Sequence, residues 1–398
     1  MNKIVKLNKL HIIILGVLSA FAVFSMDFYL PGLPQLQRDL HTTTSLSQMT
    51  ITASLIGLGL GQLFVGPWSD RIGRRKPLLI GTIVFGLTSI AIIFSTTIWF
   101  MIGMRFLQGL AGSVGIVLSL AVITDTFSGH DLTRNVTINQ TINGVFPVIA
   151  PVLGGIVVAA ANWQMTFWIL GGLGLLLFIA VQFYLPETRI VEQRKNDGHQ
   201  RNYRDLFRNR KLMTYMLIQS LMMAALFAYI AGSAFVLEDI FKVSVTTFGI
   251  IYAINGFGIA MMTMVAGWLA NKWGEYKTLG YFIFYGLLGG VLLGVSLLFG
   301  KHLLLVLVPF FMIVSAIGGI QGMTTALAMA DQHHNPGSAS AMLGMTRYAV
   351  GGVMSPLVGL FGSSSYLPLA VMIIVVQLFA FVIFVQDAVR LKRRPNIL

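Results

Sequence analysis

The sequence predicts an all-α membrane protein, a bundle of twelve transmembrane helices in two six-helix halves. Three observations carry this. Of the 398 residues, 56% are hydrophobic and only 10% are charged, whereas a soluble domain is about a quarter charged. That is too little charge to coat a water-soluble surface of this size. A spanning helix needs about 20 mostly apolar residues at about 1.5 Å of rise each, so the chain holds about twelve spans with short connections. The charge that is present falls mainly between those spans and at their ends. The 42 glycines agree, since small residues let helices approach closely in lipid, where apolar burial does not drive association.

Apolar runs between charged or turn-forming residues give the spans in order. The first six lie near 11–31, 48–67, 78–96, 98–122, 136–158 and 164–184, the second six near 212–234, 247–270, 278–299, 303–328, 339–360 and 367–386. The first run is too long for a signal-peptide core, and Asp27 with Leu30-Pro31-Gly32 is not a small-residue cleavage site, so it reads as a retained helix. Pro186 to Lys211 is the long polar stretch, with Glu187, Glu192, Asp197 and Asp205 among its basic residues. It reads as a cytoplasmic linker (186–211) joining an N-terminal half, residues 1–185, to a C-terminal half, residues 212–398.

With the N-terminus inside, all but five of the 27 Lys and Arg residues fall on the cytoplasmic side. The exceptions are Arg38, Lys242 and Lys301 opposite, and Arg105 and Arg347 within spans. The positive-inside rule then puts both termini in the cytoplasm. The net charge of +13 is therefore topological, and nucleic acid is not expected as a partner. The absence of cysteine excludes disulfides, thiolate nucleophiles and zinc–thiolate sites. The seven histidines, His333-His334 included, show no acid–His spacing of a metal site within spans. No metal, cofactor or enzymatic constellation is expected, and no ring-like filter repeat suggests a channel.

The halves repeat weakly. Gly66-Pro67-Trp68-Ser69-Asp70-Arg71-Ile72-Gly73-Arg74-Arg75-Lys76 follows span 2, and Gly267-Trp268-Leu269-Ala270-Asn271-Lys272-Trp273-Gly274-Glu275-Tyr276-Lys277 follows span 8 at an offset of 201. Ala150-Pro151-Val152-Leu153-Gly154 in span 5 likewise matches Ser355-Pro356-Leu357-Val358-Gly359 in span 11. Two matches in the same order point to a duplicated six-helix unit.

Four features could carry chemistry. Asp27 sits deep in span 1, where a carboxylate is costly unless it meets a partner or a wet cavity, and it can take up and release a proton as its surroundings change. It could instead cap or brace a neighbouring helix. Arg105 in span 4 falls at a similar depth, so its guanidinium could favour the charged form of Asp27 or form a static ion pair. Gln108 and Gly109 one turn on fit either, and Gln108 is a candidate substrate contact. Arg347 in span 11 could bind an anionic substrate group, pair with Asp125 or Asp331, or snorkel to the cytoplasmic surface, the favoured alternative. Gly66, Asp70, Arg71, Gly73, Arg74 and Arg75 form a compact loop in which Gly73 permits a tight turn, and Asp70 can cap a helix or pair with a base across the halves. That makes it a candidate conformational latch. Pro147, Pro151, Gly154 and Gly155 concentrate helix breakers in span 5 and suit a hinge, or a merely structural kink. The 28 Phe and 20 Met could line a promiscuous pocket, but such residues more often face lipid or core.

These residues resemble a known family. Gly66–Lys76 looks like the major facilitator signature between helices 2 and 3, and Arg105-Phe106-Leu107-Gln108-Gly109 like its helix 4 signature. Ala150-Pro151-Val152-Leu153-Gly154-Gly155 is similar to the antiporter signature of helix 5, with Ala150 where many members have Gly. Met26-Asp27-Phe28-Tyr29-Leu30-Pro31 and Gly337-Ser338-Ala339-Ser340-Ala341-Met342-Leu343-Gly344 narrow it to the Bcr/CflA-type drug:proton antiporters. The resemblance implies a monomeric carrier in the cell membrane with a central cavity, exporting small amphipathic drugs against proton entry by alternating access. A carrier dedicated to one metabolite, such as a sugar or an amino acid, is the alternative. It also implies that Asp27 and Arg105 are the membrane-embedded acid and base of coupling and that span 5 carries the exporter hallmark. Arg347 falls where a Gln is common, a departure from the pattern.

Overall fold

A computed structural model describes residues 7–188, 203–300, 302–330, 336–359 and 365–393. Residues 189–202 of the predicted linker lie outside the described residues. Twelve long helices follow one another: α1 Lys9–Tyr29, α2 Thr44–Ile72, α3 Arg75–Ile93, α4 Ile98–Thr126, α5 Gly129–Ala160, α6 Trp163–Tyr184, α7 Arg210–Ala234, α8 Val245–Trp273, α9 Glu275–Ser296, α10 Leu304–Met329, α11 Pro336–Gly359 and α12 Leu367–Arg393. Among the described residues, eleven helices are long and apolar enough to cross a membrane. The exception is α11, whose apolar run is diluted by Arg347 and by Ser338, Ser340, Thr346 and Ser355.

Each predicted span falls on one of these helices, and the ends explain themselves locally. Asn8, Thr97, Asn162 and Asn209 precede α1, α4, α6 and α7, each with a side-chain oxygen accepting the backbone N–H three residues on, which satisfies a donor that the first helical turn leaves open. Pro31 and Pro34 follow α1, giving a 3-10 turn at Leu30–Gly32 and a short helix Leu33–Asp39. The helices α2 and α12 run past the predicted spans into their basic ends at Ile72 and Arg393. A hydropathy reading stops at the first charges, but Arg and Lys are good helix formers and the backbone continues through them.

The internal repeat is visible in the backbone. The helices α2 and α8 are each 29 residues long and share the offset of 201 at both ends. Both stop at a glycine with positive φ, Gly73 at 97° and Gly274 at 81°, a conformation that costs a side-chain-bearing residue strain. The chain forms two compact units, one of Met1–Thr42, Met49–Gln200 and Val245–Ile250, the other of Thr43–Gln48, Arg201–Ser244 and Ile251–Leu398.

In the first unit α1 packs on α5, α4 and α6, and α3 on α4 and α6, around Leu15, Phe85, Leu118 and Phe167. In the second, α7 packs on α10, α11 and α12, and α9 on α10 and α12, around Leu279, Phe282, Phe310 and Ile313. The helices buried most completely are α1 and α7, the first helix of each half.

Candidate functional site

Arg105 lies seven residues past the first residue of α4 and is fully buried. Its guanidinium carbon stands 4.4 Å from the centroid of the Tyr29 ring and 5.8 Å from that of Phe167, so aromatic faces from α1 and α6 cover a charge that has left water. Its NH1 donates to Oε1 of Gln108, one turn along the same face. Gln108, also fully buried, donates through Nε2 to Ser89 Oγ of α3 at 2.6 Å. Ser54 of α2 donates to the Arg105 carbonyl at 3.1 Å, and the Tyr29 hydroxyl shares a hydrogen bond with Thr50 at 2.9 Å. Five helices therefore converge on one cation. Its Nε and NH2 atoms are buried without a hydrogen-bond partner, an arrangement that costs free energy and leaves donors ready for an oxygen acceptor.

Asp27 is 5% exposed and lies two residues before Tyr29 on α1, so the same last turn of α1 carries the carboxylate and the ring that covers Arg105. The predicted hinge reaches this place. A Cβ on Gly154 would collide with the Phe28 carbonyl, so α5 touches the α1 backbone at the residue after Asp27. Gly155 also lies close to a backbone oxygen, the Val245 carbonyl, 2.8 Å from where its Cβ would stand. Pro147 and Pro151 sit inside a helix that continues unbroken from Gly129 to Ala160.

The basic loop forms a separate cluster. Arg74 donates to Asp70 Oδ1 at 2.7 Å, to Asp125 Oδ2 at 2.8 Å and to Ser69 Oγ at 2.7 Å. Glu187 accepts the backbone N–H groups of Arg74 at 2.8 Å and Arg75 at 3.3 Å, capping α3 from the far end of the six-helix half. The Arg75 guanidinium donates to the Gln182 carbonyl. Burial pulls the Arg74 guanidinium toward its neutral form, but Asp125 and then Asp70 more than offset this and hold its pKa above the usual arginine range. Gly66 accepts from Ser69 Oγ at 2.8 Å, and Arg71 is exposed. Asp125 closes α4, the helix that carries Arg105, so one rigid element links the two clusters.

Arg347 stands near the middle of α11. Its guanidinium carbon lies 4.7 Å from the Tyr348 ring centroid and NH2 donates to the Tyr348 hydroxyl at 3.2 Å. Of the two carboxylates considered for it, Asp125 is engaged by Arg74, and Asp331 lies outside the described residues.

Residues 15–356 match the model of the Major Facilitator Superfamily. The chain belongs to that superfamily. Its relatives include an uncharacterized MFS-type transporter, YdgK, of Bacillus subtilis, 36% identical over 87% of this chain and 88% of the relative. A bicyclomycin resistance protein homolog of Haemophilus influenzae is 30% identical over 88% of each chain. The crystal structure of the nucleoside transporter NupG superposes with a TM-score of 0.75 at 13% identity, covering 95% of this chain and 98% of that one, a likeness of fold. The protein is thus a multi-span membrane transporter and not an enzyme.

In this major facilitator protein the residues singled out from sequence fall into two clusters and one separate position. Arg105 and Gln108 are bonded to each other, with Asp27 and Gly154 at the adjoining turn of α1. Asp70, Gly73, Arg74 and Arg75 form the loop cluster, and Arg347 stands apart in the second unit. Sequence reasoning missed Tyr29 and Phe167 as the cover of Arg105, and Asp125 and Glu187 as partners of the loop. Asp125 had a usable signal, since counting along span 4 brings it to the end where the basic loop lies. Glu187 had none.

Proposed function

We propose that the protein exports small amphipathic compounds in exchange for protons by alternating access, acting as a monomer with both termini in the cytoplasm. The observation that carries this reading is the buried Arg105 with two unpartnered nitrogens, reached from α1 by the turn that holds Asp27. A carboxylate on that turn changes its proton affinity as the site dries or wets, and a fixed guanidinium nearby opposes protonation. Proton and substrate can then compete for one environment. The name of the Haemophilus influenzae relative supports antibiotics as the substrate class. The excess of Lys and Arg between spans supports the orientation. The close contacts of Gly154 and Gly155 support α5 as the helix on which rocking turns, and the Arg74 cluster supports a latch. The test is uptake of labelled bicyclomycin into proteoliposomes under an imposed pH gradient. Uptake should follow the gradient and collapse when a protonophore dissipates it; uptake indifferent to the gradient would contradict the reading.

A further inference from the structure

Arg347 is a charge that the transport cycle proposed above does not use. With the 24-residue α11 running from Pro336 to Gly359, it has eleven residues on one side and twelve on the other. About 16 Å or more of helix therefore separates it from either end. At that depth it is half-buried. A charge within a spanning helix faces the bundle interior or a water-filled path rather than lipid. Among the described residues it has no carboxylate partner, and its only hydrogen bond goes to the Tyr348 hydroxyl. Its Nε is buried and without a partner. Tyr348 lies under the guanidinium, and the Phe227 ring of α7 stands 6.1 Å from Tyr348, seated where a Cβ on Gly351 would collide with it.

We propose that Arg347 is a recognition site for an oxyanion, so that the preferred cargo of this carrier bears a carboxylate-type acidic group on an aromatic or apolar body. The guanidinium fork matches the two oxygens of such a group, and the Tyr348 and Phe227 rings supply the apolar surface for the body. The substrate's negative charge neutralises a cation that has no carboxylate partner among the described residues. Lipophilic cations are disfavoured by the same charge. The role of Arg347 in transport rests on the reading given above, but the binding step can be measured without any pH gradient, so the two can fail separately.

The test is equilibrium binding to the purified full-length protein in detergent, using a panel of aryl-alkyl compounds offered as matched pairs, carboxylate and primary amide. In the wild type the carboxylate of at least one pair should bind about tenfold more tightly than its amide, the size expected for a charge-assisted hydrogen bond. Arg347→Gln should lose that preference while keeping its affinity for the amide, and Arg347→Lys should keep part of it. Tetraphenylphosphonium should not displace the bound carboxylate. A preference that survives Arg347→Gln, the absence of any preference across the wild-type panel, or displacement by the cation would each overturn the proposal. Should Arg347→Gln not purify as a monodisperse species, Arg347→Lys and the cation competition on the wild type still decide. An anion preference without gradient-driven uptake would sink the proton-exchange reading and leave this one standing.

Discussion

At the scale of single residues, the unusual feature is how Arg105 is kept charged in a dry core. The side-chain hydrogen bond to Gln108 and two aromatic faces hold it, while two of its nitrogens stay unpartnered. Tyr29 contributes both a face for the cation and, through Thr50, a fixed ring position. Tyr29→Phe keeps the face and should retain most transport, whereas Tyr29→Leu removes the cation–π contact, worth about 1–2 kcal/mol when desolvated. In gradient-driven uptake assays Tyr29→Leu should therefore fall about five- to thirtyfold below Tyr29→Phe; equal rates would show that the ring is packing alone. Arg105→Gln should alter the pH profile of proton release on substrate addition, since in the proposed exchange the cation and the Asp27 carboxyl share one environment. Arg105→Lys, with no planar fork, should recover only part of the wild-type profile. The measurement is proton release from purified protein across a pH series, and an unchanged profile in Arg105→Gln would make Arg105 a structural brace.

At the scale of elements, α4 joins the Arg105 site to the loop cluster through Asp125, and Glu187 ties the start of α3 to the end of α6. Each bond to the partly buried Arg74 contributes about 1–2 kcal/mol. Asp125→Asn and Glu187→Gln should each lower the melting temperature in detergent modestly. They should also slow turnover more than they weaken substrate binding, since they bias a conformational equilibrium remote from the substrate. Loss of affinity with an unchanged maximal rate would argue against a latch. The contact of α5 with α1 gives a sharper test. Gly154→Ala puts a methyl group against the Phe28 carbonyl, an overpacking of about 1–3 kcal/mol, and should disturb the turn that carries Asp27. The expected outcome is lower thermal stability together with weaker gradient dependence of uptake; a variant indistinguishable from the wild type in both would show that the helices separate there without consequence.

At the scale of the whole molecule, the properties that repeat or accumulate along the chain were legible before the structure. Twelve apolar runs became twelve helices, and the offset of 201 seen in two glycines recurs in the bounds of α2 and α8 and in two positive φ angles. These follow from local chemistry, namely apolar run length, capping side chains and the freedom of glycine. Partnerships between distant residues were not legible. Glu187 meets the Arg74 backbone across 113 positions, and nothing at Glu187 marks it as a cap because its role exists only once α3 and α6 pack. The cover that Tyr29 and Phe167 give Arg105 was hidden for the same reason, whereas the engagement of Asp125 by Arg74 had a signal in the count along span 4. The central claim is that Asp27 carries the coupling proton, and gradient-driven bicyclomycin uptake into proteoliposomes by Asp27→Asn tests it most directly. The amide copies the protonated carboxyl and cannot release a proton, so the variant should insert and bind substrate as the wild type does yet show no uptake driven by the pH gradient. Wild-type gradient-driven uptake by Asp27→Asn would contradict the account.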